Sequence, residues 1–133
     1  GSKASFVTNA VSHAQTMAKM GIHVFLIGGE LKSSTEAVVG SEAIETLRKY
    51  HFTKGFFGTN GITKKAGFTT PDANEAMVKK VALGQCQDKD ILCDHSKFGE
   101  VSSVTFAPFT GAKVITDLQT EGYQDCDNII VIE

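Results

Sequence analysis

Short apolar runs alternate with segments whose apolar residues recur every three or four positions. Residues 22–27 (IHVFLI) are nearly all apolar, the mark of a strand covered on both faces. Residues 52–57, 90–93, 113–116 and 129–132 are further strand candidates, with weaker ones at 5–8, 37–40 and 103–106, the last an antiparallel or edge strand stopped by Pro108. Helical spacing joins Ala10, Ala14, Met17 and Ala18, then Ala43, Ile44 and Leu47, then Met77, Val78, Val81 and Ala82. The first helix is predicted over 10–20 with Asn9 as its N-cap, and the second from Ser41 to about residue 50. The third runs to about residue 87 and starts at Thr70-Pro71, Asp72 or Asn74. Residues 30–36 are polar and read as loop, 64–67 as a turn, 96–99 as a turn or single helical turn, and 123–127 as a turn or short helix. Strand–helix–strand units this short belong to a parallel sheet, so the pattern predicts a three-layer α/β domain.

Bulk composition narrows the function classes. The 133 residues are 41% hydrophobic and 21% charged, the profile of a soluble globular domain. No apolar run approaches the roughly 20 residues of a membrane helix. A net charge of −2, with both signs mixed throughout, argues against this piece gripping a nucleic-acid backbone alone. Three cysteines without a CxxC read as reduced thiols in a cytosolic protein. The four histidines lie at no metal-ligand spacing, so no metal and no cofactor is expected. Gly1-Ser2 reads as an expression-tag remnant, and the absence of an initiator methionine reads as an excised fragment covering residues 3–133.

Five polar or glycine clusters carry the candidate chemistry, four of them following strands. Thr8 and Asn9 sit where a strand hands over to a helix, whose free N–H groups attract anions; the plainer reading is a helix cap. Gly28 and Gly29 either let a ligand approach the backbone or form a tight turn. Gly58, Thr59, Asn60 and Gly61 offer backbone donors, a hydroxyl and a carboxamide, or a turn alone. Glu75 and Lys79, four apart, share a helix face that lines a cleft wall or stays in solvent. Asp94 and Lys97, in DHSKFG after a buried-type strand, suit a sugar hydroxyl and a phosphate, or a cap and a solvated lysine. No GxGxxG, no GxxxxGK[ST] and no G-x-S-x-G occurs, so nucleotide fingerprints and a Ser/His/Asp triad are excluded. In a doubly wound sheet the strand-end clusters share one edge, where ligands bind.

The pieces FVTNA (6–10), IGGEL (27–31), VVG (38–40), FFGTNGIT (56–63), NEAMVKK (74–80), DHSKFG (94–99) and VITD (114–117) stand in an order and spacing that resembles the C-terminal sensor domain of DeoR-type bacterial repressors. The resemblance spans almost the whole chain. It implies a fold similar to ribose-5-phosphate isomerases and CoA-transferases. It also implies a cytoplasmic homo-oligomer that binds a phosphorylated sugar and, through an N-terminal winged helix-turn-helix absent here, operator DNA. The first βα unit with its phosphate loop is absent too.

Compared with the isomerases, the acidic DGADE-like loop is replaced by Phe57-Gly58-Thr59-Asn60-Gly61, and the expected lysine falls near Ala66 with Lys65 adjacent. Glu75 matches their catalytic glutamate and Lys97 a ligand-binding lysine. A base that survives without its acidic partners implies binding without turnover and no catalytic residue. The rivals are a sugar-phosphate isomerase and an oligomerisation module with a vestigial pocket. The expected effector set is Thr8, Asn9, Gly28, Gly29, Gly58, Thr59, Asn60, Gly61, Glu75, Lys79, Asp94 and Lys97.

Overall fold

A computed structural model describes residues 6–8, 15, 19, 24–26, 30–32, 37–39 and 41–132. The chain is α/β and divides into two compact units, Gly1–Tyr50 and His51–Glu133. In the first, β1 (Phe6–Thr8) pairs in parallel with β2 (Val24–Leu26), as the apolar runs predict. The polar stretch expected to be loop departs from expectation: β3 (Glu30–Lys32) pairs antiparallel with β4 (Ala37–Val39), Leu31 opposite Val38. Backbone pairing there overrides composition. Helix α1 (Ser41–Arg48) buries Ala43 and Leu47, carries Glu42 in its first turn and Arg48 in its last, and so matches its macrodipole.

The second unit holds a four-stranded parallel sheet and a smaller antiparallel one. β5 (Phe52–Phe57) and β10 (Lys113–Thr116) have the predicted bounds. β8 (Cys86–Leu92) starts four residues before the predicted strand, because its first half, Cys86-Gln87-Asp88-Lys89, is polar and charged. β11 (Ile129–Val131) completes the order β11-β10-β8-β5. In register, Phe57, Ile91, Val114 and Ile129 form one row across the sheet, and Phe56, Asp90 and Lys113 another on the opposite face. Charges on that second face compensate one another: Asp88 takes Lys54 at 3.3 Å and Lys113 at 3.0 Å. Asp90, buried, has Lys54 at 3.9 Å and one carboxylate oxygen without a hydrogen-bond partner.

The hairpin of β6 (Gly61–Thr63) and β7 (Gly67–Thr70) carries no apolar run and is absent from the sequence pattern. The predicted turn at 64–67 joins its strands, and Gly67 holds φ +76°, a left-handed value that favours glycine. β9 (Val104–Ala107) joins β7 as an antiparallel edge strand.

Helix α2 (Ala73–Gly84) packs on β9, β7, β5 and β8. Of the three starts open to the sequence, the cap is Asp72, which accepts from Asn74 N (2.7 Å) and Glu75 N (3.0 Å). Thr70 instead closes β7, fully buried. The helix ends at Gly84, short of residue 87. Its buried face is Ala76, Val78, Ala82 and Leu83. Met77, expected inside, is 47% exposed, because helix and sheet meet along a stripe turned toward Ala76 and Leu83. The core lies between α2, the small sheet and the large one, with Phe68 and Ile62 at its centre. Phe68 has ring centroids of Phe106 and Phe109 at 6.3 and 6.1 Å.

Candidate functional site

Because β5, β8 and β10 are parallel neighbours, their C-terminal ends lie on one edge. Three segments leave that edge. Gly58–Asn60 comes after β5. Asp94 and the single 3-10 turn His95–Lys97 come after β8. Asp117 comes after β10. Helix α2 runs back toward β8, so its first turn, with Glu75, opens toward the same edge.

Internal bonds fix the Gly58–Gly61 loop. Thr59, buried, has its hydroxyl 3.0 Å from each of the carbonyls of Gly61 and Thr69, which share its one proton. Asn60 N–H donates to Thr69 O (3.0 Å), and the Thr70 hydroxyl donates to Asn60 Oδ1 (3.3 Å). Gly61 opens β6 with no room for a side chain. A Cβ there would meet the Glu100 carbonyl and lie 2.8 Å from Thr69 Oγ1, whereas a Cβ on Gly58 would meet nothing within 4 Å.

Lys79 holds the loop from the helix side. Its Nζ donates to Gly58 O at 2.9 Å and sits 5.2 Å from the Phe106 ring centroid. Burial pushes its pKa below the ordinary lysine value, against the opposing field of Glu75. Lys79 thus shapes the loop, and Glu75, four residues earlier, lies on its side of the helix.

At the β8 tip, Asp94 caps the 3-10 turn. Its Oδ1 accepts from Ser96 N (2.9 Å) and from the Ser96 hydroxyl, and both bonds hold the carboxyl below its usual range. The plainer sequence reading of Asp94 as a cap is therefore realised, while the residue stays exposed at the edge. Lys97 is half-buried in the same turn. The next two residues are anchored: Phe98 bridges to Ile62, Gly99 N–H donates to Ile62 O (2.8 Å), and Phe98 meets the Tyr123 ring at 4.9 Å.

His95 turns toward Asp117 rather than its neighbour Asp94. Its backbone N–H donates to Asp117 Oδ1 at 2.8 Å, and ring Nδ1 lies 3.1 Å from Oδ2. Spacing picks out neither residue, since they are 22 apart. No signal in the sequence joins them, since His95 follows β8 and Asp117 follows β10, and only the sheet makes those strands neighbours. Desolvation pushes the Asp117 carboxyl up, but the bonds from His95 prevail and hold it below the ordinary value.

Cys93 lies beside this cluster, half-buried. Burial pushes its thiol up to about 11, against a hydrogen bond with Thr116 and the charge of Lys97. At pH 7.5 it is expected to carry on the order of 100-fold less thiolate than an ordinary cysteine. Iodoacetamide alkylation followed by mass spectrometry should show its rate rising toward pH 11; an apparent pKa near the ordinary thiol value of 9.0 contradicts this burial. The folded state keeps a proton that the unfolded chain gives up near 9.0, so this contribution to stability is complete below pH 9 and is lost as pH rises to about 11.

Of the remaining expected residues, Thr8 closes β1, and Asn9, Gly28 and Gly29 lie outside the described residues. Among the described residues, no group of three or more His, Cys, Asp or Glu side chains is placed to hold a metal ion, and no helix is long and apolar enough to cross a membrane. A shallow depression of about 260 Å³ lies at the other end of the large sheet, lined by Gln87, Thr110 and Asn128. Of its charged lining, Asp88, Lys89 and Lys113, the first and last are already ion-paired with each other, so the strand-tip edge is the better candidate site.

Residues 2–118 match the family described as the DeoR C-terminal sensor domain. The chain is 38% identical over 131 residues to the HTH-type transcriptional regulator FruR of Bacillus subtilis (strain 168), covering 96% of this chain and 52% of that protein. It is 30% identical over 122 residues to the HTH-type transcriptional repressor GlcR of the same organism, covering 91% and 47%. It is also similar to a lactose phosphotransferase system repressor of Staphylococcus aureus (strain NCTC 8325 / PS 47), 36% identical over 99 residues, covering 74% and 39%. The chain spans about half the length, or less, of these relatives.

Proposed function

Because this chain belongs to the DeoR C-terminal sensor domain family, we propose that it binds a phosphorylated sugar and couples that binding to operator-DNA affinity in a longer, cytoplasmic, oligomeric regulator. The observation that carries the reading is the convergence on one sheet edge of a braced neutral loop, Gly58–Asn60, with the turn that holds Asp94 and Lys97. The loop offers donors and a carboxamide but no carboxylate, so Glu75 lacks the acidic partners a proton shuttle between carbons needs. That supports binding without turnover. One relative's name, a repressor of a lactose phosphotransferase system, supports a sugar as the signal.

In this reading Gly58 and Asn60 contact the sugar, with Thr59 and Gly61 fixing the loop's shape. Asp94 and Glu75 accept from hydroxyls, Lys97 meets the phosphate, and Lys79 adds positive charge while bracing the loop. Thr8, Asn9, Gly28 and Gly29 belong to the proposed effector set on the sequence pattern alone. Allostery requires only that the effector bind two states of the regulator unequally, by about 1–3 kcal/mol.

Calorimetric titration of the full-length regulator with a panel of sugar phosphates tests the reading. At least one is expected to bind and to change operator affinity. Lys97→Ala is expected to weaken it about 10- to 100-fold, the loss of one charged hydrogen bond of about 1.5–3 kcal/mol. Heat from none of them, with operator binding unchanged, would favour the oligomerisation module. Catalytic conversion of ribose 5-phosphate, monitored by NMR, would make the protein an isomerase.

A further inference from the structure

The strand-tip edge holds a side-chain pair that the effector-binding set does not include. Cys93 N–H donates to Ile115 O at 3.1 Å, so the tips of β8 and β10 stay paired to their ends. Asp117 then reaches across from β10 and holds His95 twice, by its backbone N–H and by ring Nδ1. A carboxylate facing Nδ1 selects the tautomer protonated there, which leaves Nε2 a lone pair in the neutral ring. Among the described residues Nε2 has no partner, and the ring is about half exposed. The geometry resembles a base held by an orienting carboxylate; among the described residues no hydroxyl or thiol is hydrogen-bonded to the ring, and burial keeps the neighbouring Cys93 thiol protonated, so its use is in recognition.

We propose that His95 is an effector contact, accepting a hydrogen bond from a sugar hydroxyl at Nε2, and that Asp117 is the positioning residue that sets its tautomer and orientation. The inference rests on the sugar-phosphate reading above and deepens it. Asp117, just after β10, meets the ring, and Asp94, Lys97 and the Cys93 thiol, which is protonated near neutral pH, belong to the same cluster of ionisable groups. Two carboxylates against one lysine make the immediate surroundings of the ring poor for a phosphate. That favours a hydroxyl of the sugar as the group His95 meets, with the phosphate left to Lys97.

The test combines ring NMR with binding. In the full chain without ligand, long-range ¹H–¹⁵N spectra at alkaline pH are expected to show His95 protonated at Nδ1. Protonation at Nε2 instead overturns the proposal, whatever becomes of any variant. Fructose 1-phosphate and glucose 6-phosphate are then titrated calorimetrically, with inorganic phosphate as the probe that lacks sugar hydroxyls. His95→Ala is expected to weaken whichever sugar phosphate binds about tenfold, with inorganic phosphate unchanged. Asp117→Asn is expected to weaken it by a similar factor in the wild-type background and not further in the His95→Ala background, as a residue acting through another must.

Equal affinities in the wild type and both single variants overturn this proposal and leave the sensor reading intact. So does an Asp117→Asn loss that persists without His95, which would mark a purely structural role. No binding of either sugar phosphate to the wild type, with operator affinity unchanged by both, overturns the two together.

Discussion

Phe68→Ala is expected to cost about 3–5 kcal/mol, the range for emptying a fully buried aromatic site. Phe68 is 0% exposed and stands where β7 meets β9, with the rings of Phe106 and Phe109 against it. Collapse cannot refill the space cheaply. Its neighbours belong to three elements, and Gly67 beside it is pressed against Ala107 and Pro108. A domain of this size has roughly 5–15 kcal/mol in total, so about a fifth or more of its stability is at stake. Urea unfolding checks this through the midpoint. With an m-value of about 1–3 kcal/mol/M, the midpoint should fall by at least 1 M, roughly. A shift of a few tenths of a molar would mean that the aromatic cluster is not the keystone of the core.

The second large effect separates two glycines of one loop. Gly61→Ala is expected to destabilise the protein by about 1–3 kcal/mol, because the new methyl meets the Glu100 backbone and Thr69 Oγ1, which cannot swing aside. Thr69 Oγ1 already accepts from Ser102 N at 2.9 Å, so displacing it breaks a second contact. Gly58→Ala, three residues earlier, is expected to leave stability within about 0.5 kcal/mol, as surface changes usually do. Its cost should appear only when an effector approaches the backbone there. Thermal unfolding of both variants, then effector titration of Gly58→Ala, reads the two effects apart. Equal destabilisation by both would remove the distinction between a glycine kept for packing and one kept for access. Unchanged affinity in Gly58→Ala would place the ligand away from that carbonyl.

Periodicity along the chain carries some of this fold and not the rest. β5 and β10 are readable to the residue, because each is bounded by a break and carries an apolar group, Phe52, Phe56 and Phe57 in one and Val114 and Ile115 in the other. β8 is half-readable: Asp88 and Lys89 look like loop residues until Lys54 and Lys113 are seen to flank Asp88 from both neighbouring strands. The β6–β7 hairpin is invisible because its strands are three and four residues long and rich in threonine and glycine, and pairing, not pattern, makes them strands. In α2 the stripe is displaced by about one position, enough to put Met77 outside and Ala76 inside. For the candidate edge, local pattern singles out Gly58–Gly61, Asp94 and Lys97. It cannot find His95 with Asp117, a contact made by two strands lying side by side.

The aligned ends of β5, β8 and β10 set a limit on how this chain can change its length. Side chains alternate between the two faces of a strand, so one residue inserted within β8 would invert everything after it. Ile91 would leave the row it shares with Phe57 and Val114, and Asp94 would arrive one step out of phase with Asp117. The hairpin turn at 64–66 and the stretch from 118 to 128 lie off this parallel frame and can absorb such a change. Length variation is therefore expected in such connections rather than in the strands, and β8 is a segment in which residues can be exchanged but not counted differently.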